Sequence, residues 1–331
     1  MKIVTVYPYL WDRGGAPDLA LELARELNTE GRPIVLTNSP LIHEYYKNSG
    51  IDYKRFSLKN IWRFCLGNGV IVISHHRKQT SILVLLNSIL FFNRLKIVHV
   101  AHSTFDNLKW ACFFPEKVIA VSNAVKDNLI QYFGIRKKSV TVIFNGMKDH
   151  YLEYLDNRKV DGEIKIVLLA ALFPVKQQIE FVKNTKGKIS SNIKIYFAGK
   201  GPDEKALIDE IENSNQYVVL GFIDVYKELY NYDYVCLFSK KEGLPLSLID
   251  GCMFAKPLIT NDIKSVLDIN MNGYNGFVVS DWERLIECIN NLPLPGTGEY
   301  HRLSFNSRKV YEDNFLFYVM IDNYKKYLSM F

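Results

Sequence analysis

The chain has 331 residues, of which 48% are hydrophobic and 23% charged, and its formal net charge is +6. This composition is ordinary for a soluble globular protein, and the length exceeds what one hydrophobic core usually supports, so we expect two domains. No apolar run approaches the roughly 20 residues of a membrane span. The start, Met1-Lys2 before an apolar run, is typical of a first strand and not of a signal peptide, so we expect a cytoplasmic protein.

Positive charge is concentrated in the first half of the chain. Residues 1–155 carry 20 Lys and Arg against 12 Asp and Glu, a balance of +8, whereas the remainder carries 21 against 23, a balance of −2. A basic domain favours an anionic partner such as a membrane surface or a phosphorylated lipid. We find no nucleic-acid-binding module, so we predict an anionic membrane surface and no nucleic acid. The five cysteines are scattered, without any C-x-x-C, which predicts reduced thiols and no metal site.

Short apolar strands alternate with helices along the first half. Gly14-Gly15 follows the first strand and precedes an amphipathic helix that ends at Gly31. This order, with glycines in the first turn, indicates the start of a doubly wound α/β sheet. The strands predicted in this half are Ile3–Tyr7, Pro33–Thr37, Val70–Ser74, Lys96–Val100, Val118–Val121 and Val140–Phe144.

The same alternation restarts after a charged stretch around Tyr151–Glu163, which we interpret as a linker. We therefore predict two Rossmann-like doubly wound domains, residues 1–155 and 160–304, facing a central cleft. Residues 305–331 are predicted to form a helical segment that crosses back to the first domain. The strands predicted in the second half are Ile164–Ala170, Ile193–Ala198, Tyr217–Leu220, Tyr234–Phe238, Pro257–Thr260 and Gly276–Val279.

One stretch of the second half, residues 242–251, combines a turn, a helix and two carboxylates. A glycine and Pro245 mark the turn, and the helix is predicted over Leu246–Ala255. Glu242 on the turn and Asp250 in the helix are predicted to lie on the same side, with the free N–H groups of the helix start between them. Such a helix start binds phosphate, and the carboxylates can accept hydrogen bonds from sugar hydroxyls. The alternative is that both carboxylates are simply solvated.

Histidines follow two of the predicted strands in the first half. His75 and His76 come after one strand and His102 after another. Ligands of open α/β sheets bind beyond the carboxyl ends of the strands, so these side chains favour a ligand site there. A structural role is the alternative for each of them.

With these motifs in this order, the sequence resembles the retaining glycosyltransferases of family 4, which have the GT-B fold. The resemblance covers nearly the whole chain, and Glu242 to Asp250 falls on that family's E-x7-E motif. The other similar elements are Gly14-Gly15, Val118–Ser122, Val142–Gly146, Ala198–Pro202 and Asn272–Phe277.

The resemblance implies an acceptor-binding first domain and a second domain that binds a nucleotide-sugar donor. It implies that Glu242 holds hydroxyls of the donor sugar, that Asp250 holds the nucleotide ribose, and that Lys176 neutralises the diphosphate. His102 would lie beside the reacting sugar. The remaining implied donor-binding residues are Gly243, Leu244 and Leu246 at the diphosphate, Gly221 and Phe222 at the base, and Gly14 and Gly15 in the first glycine loop.

The sequence departs from the family pattern at three places. Asp250 replaces a Glu, which shortens the side chain by one bond of about 1.5 Å. Ala171 stands where the family has an Arg that joins Lys176 on the diphosphate. Before its Asn-Gly element the family has Gly-Gly and a Glu. At these positions this sequence has Ile263-Lys264-Ser265 and Asp268. The cations that could replace the missing Arg are Arg13, Lys200, Lys240 and Lys241.

We therefore predict a retaining glycosyltransferase that transfers a sugar from a nucleotide-diphosphate-sugar to a lipid-linked or saccharide acceptor in surface glycan biosynthesis. The sequence has no D-x-D motif, so we expect a metal-independent enzyme without a cofactor. We expect the protein in the cytoplasm, peripheral on the inner face of the membrane. Two alternatives remain open: a nucleotide-sugar 2-epimerase, which would act on the donor alone, and a non-catalytic binding or scaffold subunit, which Ala171 favours.

Overall fold

The structure is a computed structural model that describes residues 2–12, 14–28, 31–152, 162–212 and 214–331. The chain divides into two compact units: the first joins residues Met1–Gly146 to Tyr318–Phe331, and the second is Met147–Phe317. The first unit therefore takes residues from two separate parts of the chain. Most of the predicted linker, residues 153–161, and the candidate cation Arg13 lie outside the described residues.

A seven-stranded sheet forms the centre of the first unit, and its strand pairs are parallel. The order is β3-β2-β1-β4-β5-β6-β7, so the chain winds outward from β1 in both directions, as in a doubly wound sheet. The strands are β1 (Lys2–Val6), β2 (Ile34–Thr37), β3 (Asp52–Arg55), β4 (Val70–Ser74), β5 (Lys96–Ala101), β6 (Lys117–Ala120) and β7 (Val140–Val142).

Helices cover both faces of this sheet. Val35 of β2 packs into one apolar cluster and its neighbour Leu36 into another, because successive strand residues point to opposite faces. The helices α1 and α2 contribute to the Val35 cluster, and α3 and α4 to the Leu36 cluster. The helices of this part are α1 (Gly15–Glu26), α2 (Glu44–Lys47), α3 (Leu58–Cys65), α4 (Arg77–Ile89) and α5 (Asn123–Gln131).

The second unit is built on a six-stranded parallel sheet in the order β10-β9-β8-β11-β12-β13. Its strands are β8 (Ile164–Leu169), β9 (Ile193–Ala198), β10 (Tyr217–Gly221), β11 (Tyr234–Leu237), β12 (Leu258–Asn261) and β13 (Gly276–Val279). The remaining helices are α6 (Gln178–Thr185), α7 (Glu204–Ile211), α8 (Val225–Glu228), α9 (Leu246–Met253), α10 (Trp282–Asn290), α11 (Gly298–Asn314) and α12 (Phe317–Leu328).

The predicted fold class, α/β with two Rossmann-like parallel sheets, is confirmed, and each predicted strand is present with small differences at its ends. The sequence analysis missed β3. This strand lies at the edge of its sheet and pairs only with β2. Its sequence, Asp-Tyr-Lys-Arg, is polar because an edge strand need not be apolar, and charged side chains discourage pairing with another chain.

The final helix, α12, completes the first unit. Tyr324 of this helix is fully buried, and the Sδ atom of Met320 accepts a hydrogen bond from the Gly146 N–H at 3.1 Å. Lys117 of β6 lies with its Nζ atom 5.8 Å from the ring centroid of Tyr327. The first unit therefore depends on residues that come after the whole of the second unit in the chain.

We predict that Gly251→Ala destabilises the second unit. Gly251 lies in α9, and a Cβ atom there would come within 2.8 Å of the Leu258 side chain and 3.1 Å of Val235. Overpacking costs about 1–3 kcal/mol, which exceeds the helix propensity of about 1 kcal/mol that Ala gains over Gly. The urea midpoint measured by circular dichroism should fall.

The matched control for this substitution is Gly298→Ala. Gly298 also lies in a helix, but a Cβ atom there meets nothing within 4 Å. Its urea midpoint should stay near that of the wild type. Equal midpoints for the two variants would show that α9 can move away from the sheet without cost.

Candidate functional site

The helix α9 begins without a side-chain cap, as the sequence analysis requires of a phosphate site. Pro245 is the residue that precedes its first turn, and it offers no side-chain hydrogen bond to that turn. The Leu248 N–H donates to the Pro245 carbonyl oxygen at 3.1 Å, so the helix start offers an anion the N–H groups that precede Leu248 and the positive end of the helix dipole. Of the predicted phosphate-binding residues, Gly243 and Leu244 are buried in the turn, and Leu246 is partly exposed. The helix ends at Met253, two residues earlier than predicted.

Glu242 and Lys176 form an ion pair at this end of the second sheet. The Lys176 Nζ atom lies 2.5 Å from Glu242 Oε1, and the two side chains are 23% and 10% exposed. The Ser239 hydroxyl donates a second hydrogen bond to the same carboxylate oxygen at 2.6 Å. The residue predicted to bind the sugar, Glu242, and the residue predicted to bind the diphosphate, Lys176, are therefore direct neighbours. Each neutralises part of the other's charge.

Backbone contacts hold the two loops of this ion pair together. Lys176 ends a short 3₁₀ turn, Pro174–Lys176, that follows β8. The Lys240 N–H, in the loop after β11, donates to the Val175 carbonyl oxygen at 2.9 Å. Because β8 and β11 are adjacent parallel strands, their carboxyl ends bring the two loops to one edge of the sheet.

Asp250 lies in a different environment from Glu242. Its side chain is buried, and its Oδ1 atom has no hydrogen-bond partner among the described residues. Burial raises the pKa of this carboxyl group to about 7, because desolvation disfavours the charged form. Buried polar atoms are normally hydrogen-bonded, so the Oδ1 atom is an acceptor that a ligand hydroxyl could satisfy.

A glycine turn after β9 packs closely against the loop after β8. A Cβ atom on Gly199 would lie 2.0 Å from the Ala170 carbonyl oxygen, and one on Gly201 would lie 2.2 Å from the Leu172 carbonyl oxygen. The Leu172 N–H donates to the Lys200 carbonyl oxygen at 3.0 Å. Only glycines permit this approach, which fixes the loop that leads from Ala171 toward the ion pair.

The residues predicted to flank the base follow β10. Gly221 has a φ of +71°, a left-handed conformation that glycine tolerates, and Phe222 is 70% exposed. The Lys200 Cε atom lies 3.6 Å from the position of a Cβ on Gly221. Of the candidate replacements for the missing Arg, Lys200 therefore lies beside the predicted base site, and Lys240 lies in the loop beside Lys176.

The predicted histidine site lies in the first unit, and the structure adds His75 as a direct partner of His102. The His75 Nδ1 atom is 2.9 Å from His102 Nε2, and the rings stack with centroids 5.1 Å apart. Burial lowers the pKa of His102 to about 4 and that of His75 well below its ordinary value. The two imidazoles therefore form a neutral pair in which one nitrogen donates and the other accepts.

Other histidines and glycines of this unit have simpler roles. His76 accepts a hydrogen bond from the Lys78 N–H at the start of α4, at 3.3 Å. Gly14 precedes the first turn of α1 without a side-chain cap, and Gly15 begins that helix. The carboxylate of Asp18 lies in this first turn, so the start of α1 differs from that of α9, which has no acidic residue in its first turn.

Sequence reasoning missed two polar residues near Glu242. Ser239 donates to Glu242, and Asn261 donates through Nδ2 to the Ser239 carbonyl oxygen at 2.7 Å. The buried Oδ1 atom of Asn261 has no partner among the described residues. Both residues come at the ends of buried strands, the pattern that identified His75 and His102, so the same criterion applied to β11 and β12 would have found them.

Within the described ranges, no group of three or more His, Cys, Asp or Glu side chains is arranged to hold a metal ion. Every helix among those residues is too short or too polar to cross a bilayer.

Two family models together match most of the chain. Residues 155–310 match the family described as "Glycosyl transferases group 1". Residues 13–150 match the family described as "Glycosyltransferase Family 4". Each model corresponds closely to one half of the chain, with the boundary near the predicted linker.

Curated relatives are distant. The uncharacterized glycosyltransferase MJ1178 of Methanocaldococcus jannaschii is 26% identical over 62% of this chain and 62% of its own length. The amylovoran biosynthesis glycosyltransferase AmsD of Erwinia amylovora is 22% identical over 80% of this chain and 82% of its own. The chain thus spans less than two thirds of MJ1178.

Solved structures show the same fold over the whole chain. Anabaena Alr3699/HepE in complex with UDP-glucose has a TM-score of 0.82 and 16% identity, with full coverage of both chains. The lipopolysaccharide outer core galactosyltransferase WaaB in its apo form has a TM-score of 0.78 and 15% identity, covering 100% of this chain and 99% of that one. Together with the two family matches, they confirm the GT-B fold.

We predict that Asp250→Asn stabilises the unliganded protein at pH 8. The folded-state pKa of about 7 lies above the ordinary value of 3.8 for an Asp, so this group favours folding fully below pH 4 and loses that contribution as the pH rises through 7. The neutral amide avoids the cost of a buried, unpaired charge, and the gain should be about 1–4 kcal/mol.

Urea unfolding of the wild type and of Asp250→Asn at pH 8 and pH 5 tests this. The difference in the free energy of unfolding should be clearly larger at pH 8 than at pH 5, and it should disappear only below about pH 4, where the unfolded carboxyl group is protonated too. The same difference at both pH values would mean that the carboxylate has another source of stabilisation.

We also predict that the His75–His102 pair stays neutral down to about pH 4. The unfolded chain takes up protons below about pH 6.5, so the pair's contribution to the free energy of unfolding is present above pH 6.5 and is lost as the pH falls toward 4. Histidine NMR titration should show no transition between pH 7 and 5 for three rings, those of the pair and that of His99, because burial lowers the pKa of His99 to about 3. Transitions near pH 6.5 for all seven histidines would contradict the buried pair.

Proposed function

We propose that this chain, which has the GT-B fold and matches one glycosyltransferase family model in each half, is a retaining enzyme that moves a sugar from a nucleotide-sugar donor to an acceptor. The acceptor is a lipid-linked or saccharide molecule, and the reaction belongs to polysaccharide biosynthesis. Relatives support this class: AmsD is named for amylovoran biosynthesis, and the HepE structures contain UDP or UDP-glucose.

The observation that carries the proposal is the pair of unlike carboxylates around the uncapped start of α9. Glu242 is hydrogen-bonded to Lys176 and Ser239, whereas Asp250 has a buried oxygen without a partner in the described part of the chain. A nucleotide-sugar has hydroxyls on its sugar and on its ribose, with two phosphates between. These groups match, in the same order, the Glu242 carboxylate as a hydrogen-bond acceptor, the anion-binding start of α9, and the Asp250 carboxylate as a second hydrogen-bond acceptor.

These contacts support the roles that the family resemblance implies. We assign Glu242 to the hydroxyls of the donor sugar and Asp250 to the ribose. The phosphates lie at the N–H groups around Gly243, Leu244 and Leu246. Lys176, which is already beside the site, turns toward the diphosphate when the donor binds. In the first unit, His102 is a neutral hydrogen-bonding group for the reacting sugar.

The chemistry requires stabilisation of a leaving group. When the anomeric C–O bond breaks, negative charge builds on the departing diphosphate, and cations and aligned N–H groups lower the energy of that state. Lys176 and the start of α9 supply both kinds of group. In a front-face reaction the leaving phosphate takes the proton of the acceptor hydroxyl, so no protein nucleophile and no metal ion or other cofactor is assigned.

Donor turnover tests the proposed function. The purified protein is incubated with individual nucleotide-sugars in excess chelator, with and without a membrane lipid extract as acceptor. We expect nucleoside diphosphate release that depends on the acceptor, and NMR of the product should show the same anomeric configuration as the donor.

The other outcomes identify the alternatives. Conversion of the donor sugar without any acceptor would indicate a 2-epimerase. A nucleotide-sugar that raises the melting temperature but is never turned over would indicate a binding subunit. An inverted product would overturn the retaining mechanism, and strict dependence on a divalent metal would overturn the metal-independent one.

We predict that Lys176→Ala lowers kcat/KM by a factor of roughly 10²–10³, the scale for loss of one transition-state charge donor. Glu242→Ala should abolish transfer, because Glu242 is assigned to the donor sugar, and should not weaken the binding of free nucleoside diphosphate, because the substitution releases Lys176 from its ion pair. Steady-state kinetics and calorimetric binding give the two quantities.

The matched control is Lys183→Ala. Lys183 lies on α6, pairs with Glu180 and has a half-exposed side chain, so kcat/KM should not change. Activity of Lys176→Ala within a few-fold of the wild type would show that another cation, such as Lys200, binds the diphosphate. Ala171→Arg should be neutral or raise activity.

A further inference from the structure

We propose that the outer surface of α3 and α4, in the first unit, docks on an anionic lipid bilayer. The proposal concerns a surface remote in sequence from the donor-binding loops and does not depend on which sugar the protein transfers. It rests on three observations: the charge of one segment, the apolar side chains on two helices, and the packing of those helices in one layer.

The charge of residues 53–105 is entirely of one sign. This segment contains no Asp or Glu, whereas an even distribution of the chain's 35 acidic residues over 331 positions would place about six there. Such a segment attracts anionic surfaces, although Lys54 is paired with Asp52 just before the segment, at 2.7 Å. Its eight basic residues are Lys54, Arg55, Lys59, Arg63, Arg77, Lys78, Arg94 and Lys96.

Large apolar side chains are exposed on the same segment. Leu58 and Trp62 of α3 are 51% and 67% exposed, and Ile89 and Phe92, at the end of α4 and just beyond it, are 67% and 78% exposed. Leu58 and Trp62 are four residues apart, so they lie on one side of their helix. Leu85 precedes Ile89 by the same spacing and is also exposed.

Both helices lie in one layer on the same face of the sheet. Ile61 and Cys65 of α3 and Leu83 of α4 are buried in a single apolar cluster with strand residues such as Val72. The exposed positions of α3 and α4 are therefore on the side of this layer that faces away from the sheet. Apolar and basic side chains then share one surface of the first unit.

A bilayer fits this surface better than nucleic acid does. Nucleic acid would be attracted by the basic residues but offers no apolar phase for Leu58, Ile89 and Phe92. An interfacial surface combines the two features: apolar side chains enter the boundary of the acyl chains by about 5–10 Å, and Lys and Arg remain at the anionic headgroups. Trp62, beside Arg63, suits the headgroup level.

Tryptophan fluorescence with lipid vesicles tests the proposal directly. Vesicles of phosphatidylcholine with about 30% phosphatidylglycerol provide the anionic surface, and brominated phosphatidylcholine quenches tryptophans that enter the bilayer. We expect quenching in the wild type and in Trp110→Phe, and its loss in Trp62→Phe. Trp110 is 90% exposed and lies outside the segment, so it is the matched control.

Binding is measured by sedimentation with the same vesicles. Trp62→Ser combined with Ile89→Ser should weaken binding at least about tenfold, and salt of about 0.5 M should release the wild type because it screens surface charge. The control is Trp110→Ser combined with Leu41→Ser, which removes two side chains of the same unit that are even more exposed than Trp62 and Ile89. It should bind as the wild type does.

Three results would overturn the proposal. The first is equal binding to neutral and anionic vesicles. The second is quenching that persists in Trp62→Phe. The third is lipid-free self-association or RNA binding that the Trp62 and Ile89 substitutions abolish while vesicle binding is unchanged. Since the quenching experiment needs only a Trp-to-Phe change at an exposed site, it remains decisive if the double serine variant does not fold.

Discussion

The ion pair between Lys176 and Glu242 joins the loops after two neighbouring strands, and the rest of the candidate donor site is arranged around it. The parallel pairing of β8 with β11 brings the loops together, and Ser239 and the Lys240 backbone N–H hold them there. Because the pair is largely shielded from water, its attraction is stronger than that of a surface ion pair. Under the proposed function, a donor would have to compete with Glu242 for Lys176, and its phosphate oxygens and hydroxyls would compensate.

Glu242 and Asp250 show how the same chemical group acquires two behaviours from its surroundings. A lysine and a hydroxyl satisfy Glu242, whereas nothing described near Asp250 compensates the burial of its Oδ1 atom. The unliganded fold bears an energetic cost at Asp250 that a bound ribose hydroxyl would relieve. Part of the binding free energy of a nucleotide would then come from the removal of this cost, in addition to the hydrogen bonds that form.

The sequence predicted the parts of this protein that depend on local patterns. Buried parallel strands are apolar along their whole length, so both sheets were predicted, and the polar edge strand β3 was missed for the same reason. The turn and helix after β11 follow from residues 242–251 alone. The contacts of Glu242 with Lys176 and of His75 with His102 link residues 66 and 27 positions apart. Such contacts depend on how strands pair and how side chains turn, which periodicity does not encode.

The first unit is assembled from residues that the ribosome produces at very different times. Residues Met1–Gly146 emerge first, but Tyr318–Phe331 emerge only after the whole of Met147–Phe317. At translation rates of about 5–20 residues per second, that interval lasts about 10–30 seconds. During it, the surface that later covers Met320 and Tyr324 remains open to water and to chaperones. The second unit can therefore finish folding before the first, although its sequence comes later.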